Sequence, residues 1–321
     1  MKIYKRRQSR VLGGLDMEIR LVTDEKYGYK RLDPIPLREL LDDFYMNEYY
    51  QNRKKTKSPD ARIIKELDNL IEEISTVSNT EWAKKTHLLE AKNTLNRLVS
   101  IKKPSLLDVG CGYGTFIKFI NEFGWNVSGI EPSPKASEFA ANTGLNIHNC
   151  TLEEFYIKNQ QKFTAISLNN VLEHVRLPLD TISMCKNMLI DGGIIRIKVP
   201  NEFNPLQLKA NEIVSNKNWW VSYPDHINYF TKDSLTKILR DFGFEIVHIN
   251  SDFPMEIFIL MGENYVDKPE LGKLCHEKRK NFEMNLETGE REKLYCELAK
   301  NGIGRNIIVY GKLRININNG I

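Results

Sequence analysis

The sequence predicts an α/β protein with a doubly wound, seven-stranded and mostly parallel sheet, preceded by a helical N-terminal extension. Two observations predict this fold class. Between Ser105 and about Phe253, short apolar segments typical of strands alternate with segments that have helical spacing. The helical segments repeatedly end at a glycine, which suits the left-handed position after a helix. Alternating strands and helices favour a parallel sheet with helices on both faces.

Each predicted strand is a short apolar segment. In chain order they are SLLDVG, NVSGIE, LNIHNC, FTAISLN, GGIIRIKVP and FEIVHIN, and a last strand follows in RNIIVYGKL. Helices are predicted between them in TFIKFINEFG, SPKASEFAANTG, LPLDTISMCKNML and TKDSLTKILRDFG. Ligands of doubly wound sheets bind at the carboxyl ends of the strands, where the strand order reverses. We therefore expect the functional site at that edge.

Two segments fall outside this alternation. Residues 1–101 are charged and mainly helical in pattern, with a small hairpin predicted in MEIRLV and YGYKRL. We interpret residues 1–101 as an N-terminal extension and residues 102–321 as the main domain, with a helical insertion at about 267–301. As a hypothesis, the N-terminal helices, including FYMNEYYQ, fold over the site as a lid.

Composition excludes several classes of protein. The chain has 321 residues, 41% of them hydrophobic, which argues against disorder. Its net charge of +4, from 46 basic and 42 acidic residues, does not suggest wholesale nucleic-acid binding. The five cysteines form no CxxC pair, so neither a zinc site nor a disulfide framework is expected. With no signal peptide and no apolar run of roughly 20 residues, a cytoplasmic protein without a membrane span is predicted.

A run of alternating glycines follows the first predicted strand of the sheet. In LLDVGCGYGTF, Gly110, Gly112 and Gly114 give the pattern GxGxG, whereas the dinucleotide fingerprint GxGxxG would need a glycine at Thr115. Asp108 stands two residues before the first of these glycines. A carboxylate is a poor neighbour for a pyrophosphate, but it suits a ligand with an ammonium and a sulfonium, such as S-adenosylmethionine.

A second acid ends the next strand. Glu131 lies 21 positions after Gly110, in the segment NVSGIE. A carboxylate at about this spacing can accept hydrogen bonds from both hydroxyls of an adenosine ribose. The glycine turn and the acid together are more specific than either feature alone. A structural turn with an exposed glutamate is the alternative.

The motifs LLDVGCGYGTF, GIEPS, ISLNNVLEHV, DGGIIRIKVPN and DHINYFTKDSLTKILRDFGFEI together resemble a class I S-adenosylmethionine-dependent methyltransferase. The most similar subgroup includes ubiquinone-biosynthesis O-methyltransferases and many sugar and natural-product methyltransferases. The resemblance spans about residues 105–250, and a weaker similarity extends to GIGRNIIVYGKL. It implies the Rossmann-like methyltransferase fold and S-adenosylmethionine as the cofactor.

The resemblance also implies a set of cofactor-binding residues at the strand ends: Asp108, Gly110, Gly112, Gly114, Glu131, Thr151, Leu152 and Asn169. The first acid and its glycines would line the methionine part, and the second acid would hold the ribose. Thr151 and Leu152 would reach the adenine, with core packing as the alternative for Leu152. Asn169 would face the methionine part or the transferred methyl group.

Two histidines are candidates for proton transfer. His174 follows the fourth strand, and His226 precedes the last crossover helix, so we predict both as catalytic residues. For each, a structural role is the alternative. Ubiquinone-type relatives carry acid-x-x-Glu-His at this place as a proposed divalent-metal site. Here Asn170 replaces the first acid and leaves Glu173 with His174, so we predict no metal.

Two further segments are candidates for contact with the methyl acceptor. Aromatic residues are dense in NKNWWVSYPDHINYF, and Trp219, Tyr223 and Tyr229 are predicted to bind substrate, with core packing as the alternative. The basic segment KLCHEKRK suits an anionic substrate, although a solvated helix face is favoured.

These features predict a methyltransferase that acts on a small molecule, most favourably at a hydroxyl oxygen of a sugar, a nucleotide sugar or a similar metabolite. RNA or protein methylation is the alternative within the same fold, and nucleic acid is disfavoured because NNVLEHV lacks an Asn/Asp-Pro-Pro-aromatic motif. A nicotinamide-dependent oxidoreductase is disfavoured by Thr115 and Asp108. A binding module that has lost turnover also stays open. The oligomeric state is open, with a homodimer as one option.

Overall fold

The chain is described here by a computed structural model that covers residues 19–43, 80–215 and 217–315. The segment FYMNEYYQ, residues 44–51, lies outside the described residues, so the lid stays a hypothesis.

Within these described residues, ten strands form two sheets. The bounds are β1 Arg20–Thr23, β2 Lys30–Asp33, β3 Ser105–Val109, β4 Asn126–Ile130, β5 Asn146–His148, β6 Phe163–Asn169, β7 Leu189–Pro200, β8 Asn228–Tyr229, β9 Phe244–Ser251 and β10 Asn306–Leu313. Seven of them make the main sheet, in the order β5-β4-β3-β6-β7-β10-β9. Strands β3 to β7 pair in parallel, and β10 is antiparallel to both of its neighbours. The predicted seven-stranded, mostly parallel sheet is confirmed.

The strand order reverses beside β3. The chain runs outward from β3 to β5 and then returns to β6 on the other side of β3. The loops that follow β3 and β6 therefore diverge and leave a crevice at the carboxyl ends of the strands. This topology places the glycine turn after β3 at that crevice.

Helices cover both faces of the main sheet. Their bounds are α1 Arg38–Asp43, α2 His87–Leu98, α3 Thr115–Asn121, α4 Pro134–Ala141, α5 Leu152–Lys158, α6 Pro178–Met188, α7 Pro205–Ile213, α8 Lys232–Asp241, α9 Glu256–Leu260, α10 Pro269–Met284 and α11 Thr288–Lys300. A further helical segment at 80–85 leads into α2. Among the described residues, no helix is long and apolar enough to cross a membrane.

The alternation of side chains along the strands separates two apolar layers. Leu106, Ala165 and Ile194 face one layer together with Leu88 and Leu95 of α2. The alternate residues of the same strands face a second layer, which includes Leu107, Ile166 and Ile195. Successive side chains of a strand point to opposite faces, so apolar residues at both parities require helices on both sides.

The hairpin predicted in MEIRLV and YGYKRL is confirmed. Strands β1 and β2 pair antiparallel, and β2 also pairs with β8 in a second, three-stranded sheet. The Tyr29 ring stacks on Phe230 with 5.1 Å between centroids, and both side chains are buried in the layer around Leu107. The start of the described chain therefore packs into the core of the main sheet.

Helices α10 and α11 occupy the segment between β9 and β10 that we interpret as an insertion. Arg291 of α11 donates to the carboxylate of Glu90 on α2 at 2.5 Å, and both side chains are buried. The Arg291 guanidinium also donates to the backbone oxygens of Glu283 and Lys85. These charge-assisted hydrogen bonds attach the two helices to α2 beside the crevice.

Candidate active site

A cavity of about 780 Å³ lies at the carboxyl ends of β3, β4, β6 and β7. It is lined by seven of the residues singled out from the sequence: Asp108, Gly110, Gly112, Glu131, Thr151, Asn169 and His174. A volume in this range accommodates a cofactor and part of a second small molecule. The topology brings these residues together although they are spread over more than sixty positions of sequence.

All three glycines of the turn have left-handed backbone, with φ of 67° at Gly110, 56° at Gly112 and 75° at Gly114. A Cβ at Gly110 would lie 2.8 Å from Val171 Cγ2, and one at Gly114 would lie 2.7 Å from Leu145 Cδ1. The first two glycines line the cavity, whereas Gly114 does not. Gly114 instead precedes α3 and permits close packing, which suits a structural role better than contact with a ligand.

Asp108 is buried at the floor of the cavity. Its Oδ1 accepts a hydrogen bond from Asn169 Nδ2 at 3.0 Å. Burial raises the pKa of Asp108 to about 7, although the Arg196 charge and the hydrogen bonds from Ser167 and Asn169 oppose this shift. A cationic ligand beside this carboxylate would stabilise its ionised form.

Arg196 extends this polar group across the sheet. Its guanidinium donates to Asn169 Oδ1, to Ser167 Oγ at 3.3 Å and to the Tyr310 hydroxyl at 3.1 Å. The strand register pairs Asp108 with Ser167 and Ser167 with Arg196, so these side chains share one face of the sheet. Arg196 was not predicted from the sequence. A cation inside the apolar segment GGIIRIKVP could have indicated it, because a buried arginine needs a partner.

The Glu131 carboxylate holds two loops together. Its Oε2 accepts from the Gly112 backbone N–H at 2.8 Å, and its Oε1 accepts from the Ser133 N–H at 2.9 Å. The side chain is 4% exposed and lines the cavity. Each carboxylate oxygen can accept more than one hydrogen bond, so this arrangement suits the predicted contact with ribose hydroxyls. That contact stays a prediction.

Thr151 and Leu152 begin α5 but differ in position. Thr151 lines the cavity and forms a capping box in which its Oγ1 accepts from the Glu154 N–H at 3.3 Å and its own N–H donates to Glu154 Oε2 at 2.9 Å. Leu152 is buried in the apolar layer around Leu107 and does not line the cavity. Packing is therefore the observed role of Leu152.

His174 lines the cavity and interacts with Asp225 on a neighbouring loop. Its Nδ1 lies 2.7 Å from the Asp225 backbone oxygen and 3.2 Å from Asp225 Oδ1. Burial lowers the pKa of His174, but the hydrogen bonds to Asp225 and the charge of Glu173 outweigh burial and raise the pKa to about 9. An imidazole paired in this way is a stronger base than a free one, and it carries a proton at neutral pH.

His226 packs edge-on against His174, with 5.0 Å between ring centroids, but it does not line the cavity. Its Nδ1 lies 3.4 Å from Glu202 Oε1. Ligand atoms of Glu173, His174 and His226 lie within 4.8 Å of one another, which is the spacing of a candidate metal site. His174 Nδ1 contacts the Asp225 backbone oxygen, which leaves Nε2 available as a ligand, so these three residues could hold a divalent cation. The expected absence of a metal stays a prediction.

The aromatic residues predicted to bind substrate lie away from this cavity. Trp219 and Tyr223 line a separate cavity of about 450 Å³, which shares no lining residue with the first among the described parts of the chain. Tyr229 is buried, and its hydroxyl donates to the His226 backbone oxygen at 2.9 Å. The pairing of β8 with β2 turns this segment toward the small sheet.

Besides Arg196, three further basic residues that were not singled out from the sequence line the first cavity. They are Arg38 of α1, His87 of α2 and Lys198 of β7. Lys198, like Arg196, is a cation within the otherwise apolar strand segment GGIIRIKVP, and this pattern could have identified it from the sequence. His87 and Arg38 come from helices that precede the sheet, and no local pattern relates them to it.

A doubly wound sheet with one antiparallel strand, an acid at the end of β3, a left-handed glycine turn and a second acid at the end of β4 define a class I S-adenosylmethionine-dependent methyltransferase. A family model described as a methyltransferase domain matches residues 79–249, more than half of the chain, and the chain belongs to this family. The predicted family, enzyme class and cofactor are confirmed.

Curated relatives match a shorter stretch. A ubiquinone biosynthesis O-methyltransferase of Saccharophagus degradans is 31% identical over 119 residues, which is 35% of this chain and 50% of the relative. The protein of the same name from Dinoroseobacter shibae is 30% identical over 153 residues, 44% of this chain and 60% of the relative. The chain thus spans about half the length of the curated relatives that it matches.

Solved structures are similar at low identity. A SAM-dependent methyltransferase from Archaeoglobus fulgidus aligns with a TM-score of 0.47 and 18% identity, over 70% of this chain and 94% of that one. The plantazolicin methyltransferase BpumL in complex with SAH aligns with a TM-score of 0.48 and 11% identity, over 86% of this chain and 94% of that one.

Proposed function

We propose that this methyltransferase transfers the methyl group of S-adenosylmethionine to a hydroxyl oxygen of a small molecule such as a sugar or a nucleotide sugar. The observation that carries this proposal is a single cavity lined both by the predicted cofactor residues and by other polar side chains. Asp108 and Glu131 line it together with His174, His87 and Lys198. The surroundings of Asp108 and Glu131, here called the cofactor part, suit the donor, and the other side chains offer polar groups for an acceptor.

The cofactor part provides charge and shape that match the donor. S-adenosylmethionine supplies a methyl group activated by a sulfonium. Asp108 would face the ammonium of the methionine part, Glu131 would hold the ribose, and the turn at Gly110 would admit the ligand close to the backbone. Binding in this way aligns donor and acceptor, and such positioning can supply about 7–11 kcal/mol of the barrier.

His174 is our candidate for the group that accepts the proton of the hydroxyl. It lines the cavity, and Asp225 orients its imidazole through contacts at 2.7 and 3.2 Å. His226 would support this ring from behind, together with Glu202. Oxygen as the methylated atom is also supported by relatives whose names include O-methyltransferase.

The experiment has two stages. Calorimetry first measures binding of S-adenosylhomocysteine to the protein, and the same titration with NADH is the control for an oxidoreductase. Transfer from a methyl-labelled donor is then assayed against sugar nucleotides, hydroxylated aromatic compounds, transfer RNA and a mixture of peptides, with products identified by mass spectrometry. Label in the RNA or peptides, with none in the small molecules, would contradict the proposal.

A further inference from the structure

A second cavity of about 250 Å³ adjoins the active site. It lies between α2, α10, α11 and the ends of β7, β9 and β10. His87 and Lys198 line both cavities, so they stand at the boundary between them. The volume accommodates a group the size of a carboxylate or a phosphate together with water.

The carboxylates around the second cavity already have partners. Glu90 pairs with Arg291, and Asp252 accepts from the Asn306 N–H at 2.7 Å. Glu283 accepts from the Trp82 indole N–H and from the Tyr295 hydroxyl, both at 2.7 Å. Buried acids satisfied in this way do not require a further cation.

Lys198 is different. In residues 19–43, 80–215 and 217–315, its ammonium has no hydrogen bond and no carboxylate within the 4.0 Å of an ion pair. By contrast, Arg279 on the same cavity contacts both Asp252 and Glu283. Burial lowers the pKa of Lys198, and the charge of Asp252, which is not in ion-pair contact, offsets only part of this shift. An anionic ligand at the ammonium would therefore stabilise its charged form.

The positive charges around His87 also favour an anionic ligand at this place. Burial, followed by the positive charges of Lys198, Arg279, Arg196 and Arg291, lowers the pKa of His87 well below its usual range. Because Arg279 is paired with Asp252 and Glu283, and Arg291 with Glu90, Lys198 is the cation of this group that lines both cavities and has no carboxylate in ion-pair contact among the described residues. The neutral imidazole remains able to donate or accept a hydrogen bond.

The register of the sheet relates Lys198 to the cofactor site. Lys198 on β7 pairs with Asn169 on β6, and Asn169 bonds to Asp108. Neighbouring strands lie roughly 4.8 Å apart, so Lys198 leaves the sheet beside the residues that are predicted to hold the donor. An acceptor there can place one end toward the donor and the other end in the second cavity.

We propose that the second cavity receives an oxyanion, a carboxylate or a phosphate, of the methyl acceptor, and that Lys198 provides its counter-charge and His87 a hydrogen bond. This inference rests on the proposed function because it specifies the acceptor of the same site. The same ammonium could instead face the carboxylate of the donor's methionine part, and the experiment separates these two sources of the anion.

The test measures anion binding to protein saturated with S-adenosylhomocysteine. Inorganic phosphate and benzoate are titrated at constant ionic strength, with chloride as the balancing anion, and both calorimetry and thermal unfolding report binding. We expect one of the two anions to bind the wild-type protein. In Lys198→Met its affinity should fall by about tenfold or more, while Lys198→Arg retains most of it. Lys312→Met, which removes an exposed lysine of β10, is the matched control and should bind like the wild type.

Three results would overturn the inference. The first is a loaded wild-type protein that binds neither anion, and this result needs no variant. The second is unchanged anion affinity in Lys198→Met, with Lys198→Gln as the replacement if that variant does not fold. The third is a fall in S-adenosylhomocysteine affinity of about tenfold in Lys198→Met, which would assign the ammonium to the donor. Failure of the wild-type protein to bind S-adenosylhomocysteine would instead reject the proposed function.

Discussion

Asn169 at the end of β6 donates a hydrogen bond of 3.0 Å to Asp108 at the end of β3, and the same amide accepts from Arg196. This bridge joins the two strands at which the sheet order reverses. It holds a buried carboxylate at the place where the donor's ammonium is expected, with a compensating cation one strand further along the sheet.

Cofactor binding should depend on pH through Asp108. Burial raises its pKa to about 7, so the carboxylate is ionised above pH 7 and becomes protonated as the pH falls through that value. Because an ammonium ligand prefers the ionised form, S-adenosylhomocysteine should bind about tenfold more weakly at pH 6 than at pH 8. Calorimetry at both values checks this. Asp108→Asn should bind weakly at both, and an unchanged pH dependence in that variant would contradict the assignment.

Gly110→Ala should impair both folding and cofactor binding. The residue has φ of 67°, and a Cβ would lie 2.8 Å from Val171 Cγ2. We expect a loss of about 1–3 kcal/mol in the free energy of unfolding and at least about tenfold in cofactor affinity. Gly124→Ala is the control, because its φ is 84° but a Cβ there would meet nothing within 4 Å. Equal effects of the two variants on cofactor affinity would reject a special role for Gly110.

Glu131→Ala should abolish measurable cofactor binding. The carboxylate holds the Gly112 and Ser133 backbone amides, so its removal releases both loops as well as the predicted ribose contact. The two charge-assisted hydrogen bonds predicted from the ribose hydroxyls to this carboxylate are together worth about 3–6 kcal/mol. We therefore expect the cofactor affinity to fall by at least about a hundredfold. Calorimetry is compared with Glu138→Ala, which removes an exposed acid of α4. Wild-type affinity in Glu131→Ala would refute the ribose assignment.

His174→Gln should lower turnover by about 10²–10⁴-fold if His174 accepts the proton. Because the pKa is about 9, the neutral form becomes more abundant as the pH rises from 7 to 9, and turnover of the wild type should rise with it. The pH–rate profile of the accepted substrate measures this. His248→Gln, at a partly buried histidine outside the cavity, is the control. A flat profile with near-normal turnover of His174→Gln would leave that residue only a structural role.

Arg291→Met should destabilise the fold. It leaves Glu90 buried without its guanidinium partner, which typically costs about 3–5 kcal/mol in the free energy of unfolding. Arg97→Met removes an exposed arginine from a pair with Glu292 and should cost less than about 1 kcal/mol. Denaturant unfolding compares the two variants. If Glu90→Gln does not restore part of the stability of Arg291→Met, the buried charge is not the cause.

The lining of the site shows which residues local patterns can predict. Asp108, Gly110, Gly112 and Glu131 follow strands whose apolar character is evident from the chain, so their place at one edge of a parallel sheet is predictable. Trp219 and Tyr223 gave an aromatic pattern of similar strength, yet they line another cavity. The density of aromatic residues in a segment does not determine which surface the loop will cover, and Tyr223 is in fact exposed.

By itself the sequence determined the doubly wound sheet and the methyl donor, and it predicted the acids and glycines that line the first cavity, because strand and helix periodicities and the glycine turn are local properties of the chain. Only the tertiary structure decided that His87 and Lys198 meet beside the donor site and that a second, charged cavity lies behind them. Helix α2, strand β7 and the helices after β9 are far apart in sequence, and only their packing onto one face of the sheet brings their charges together.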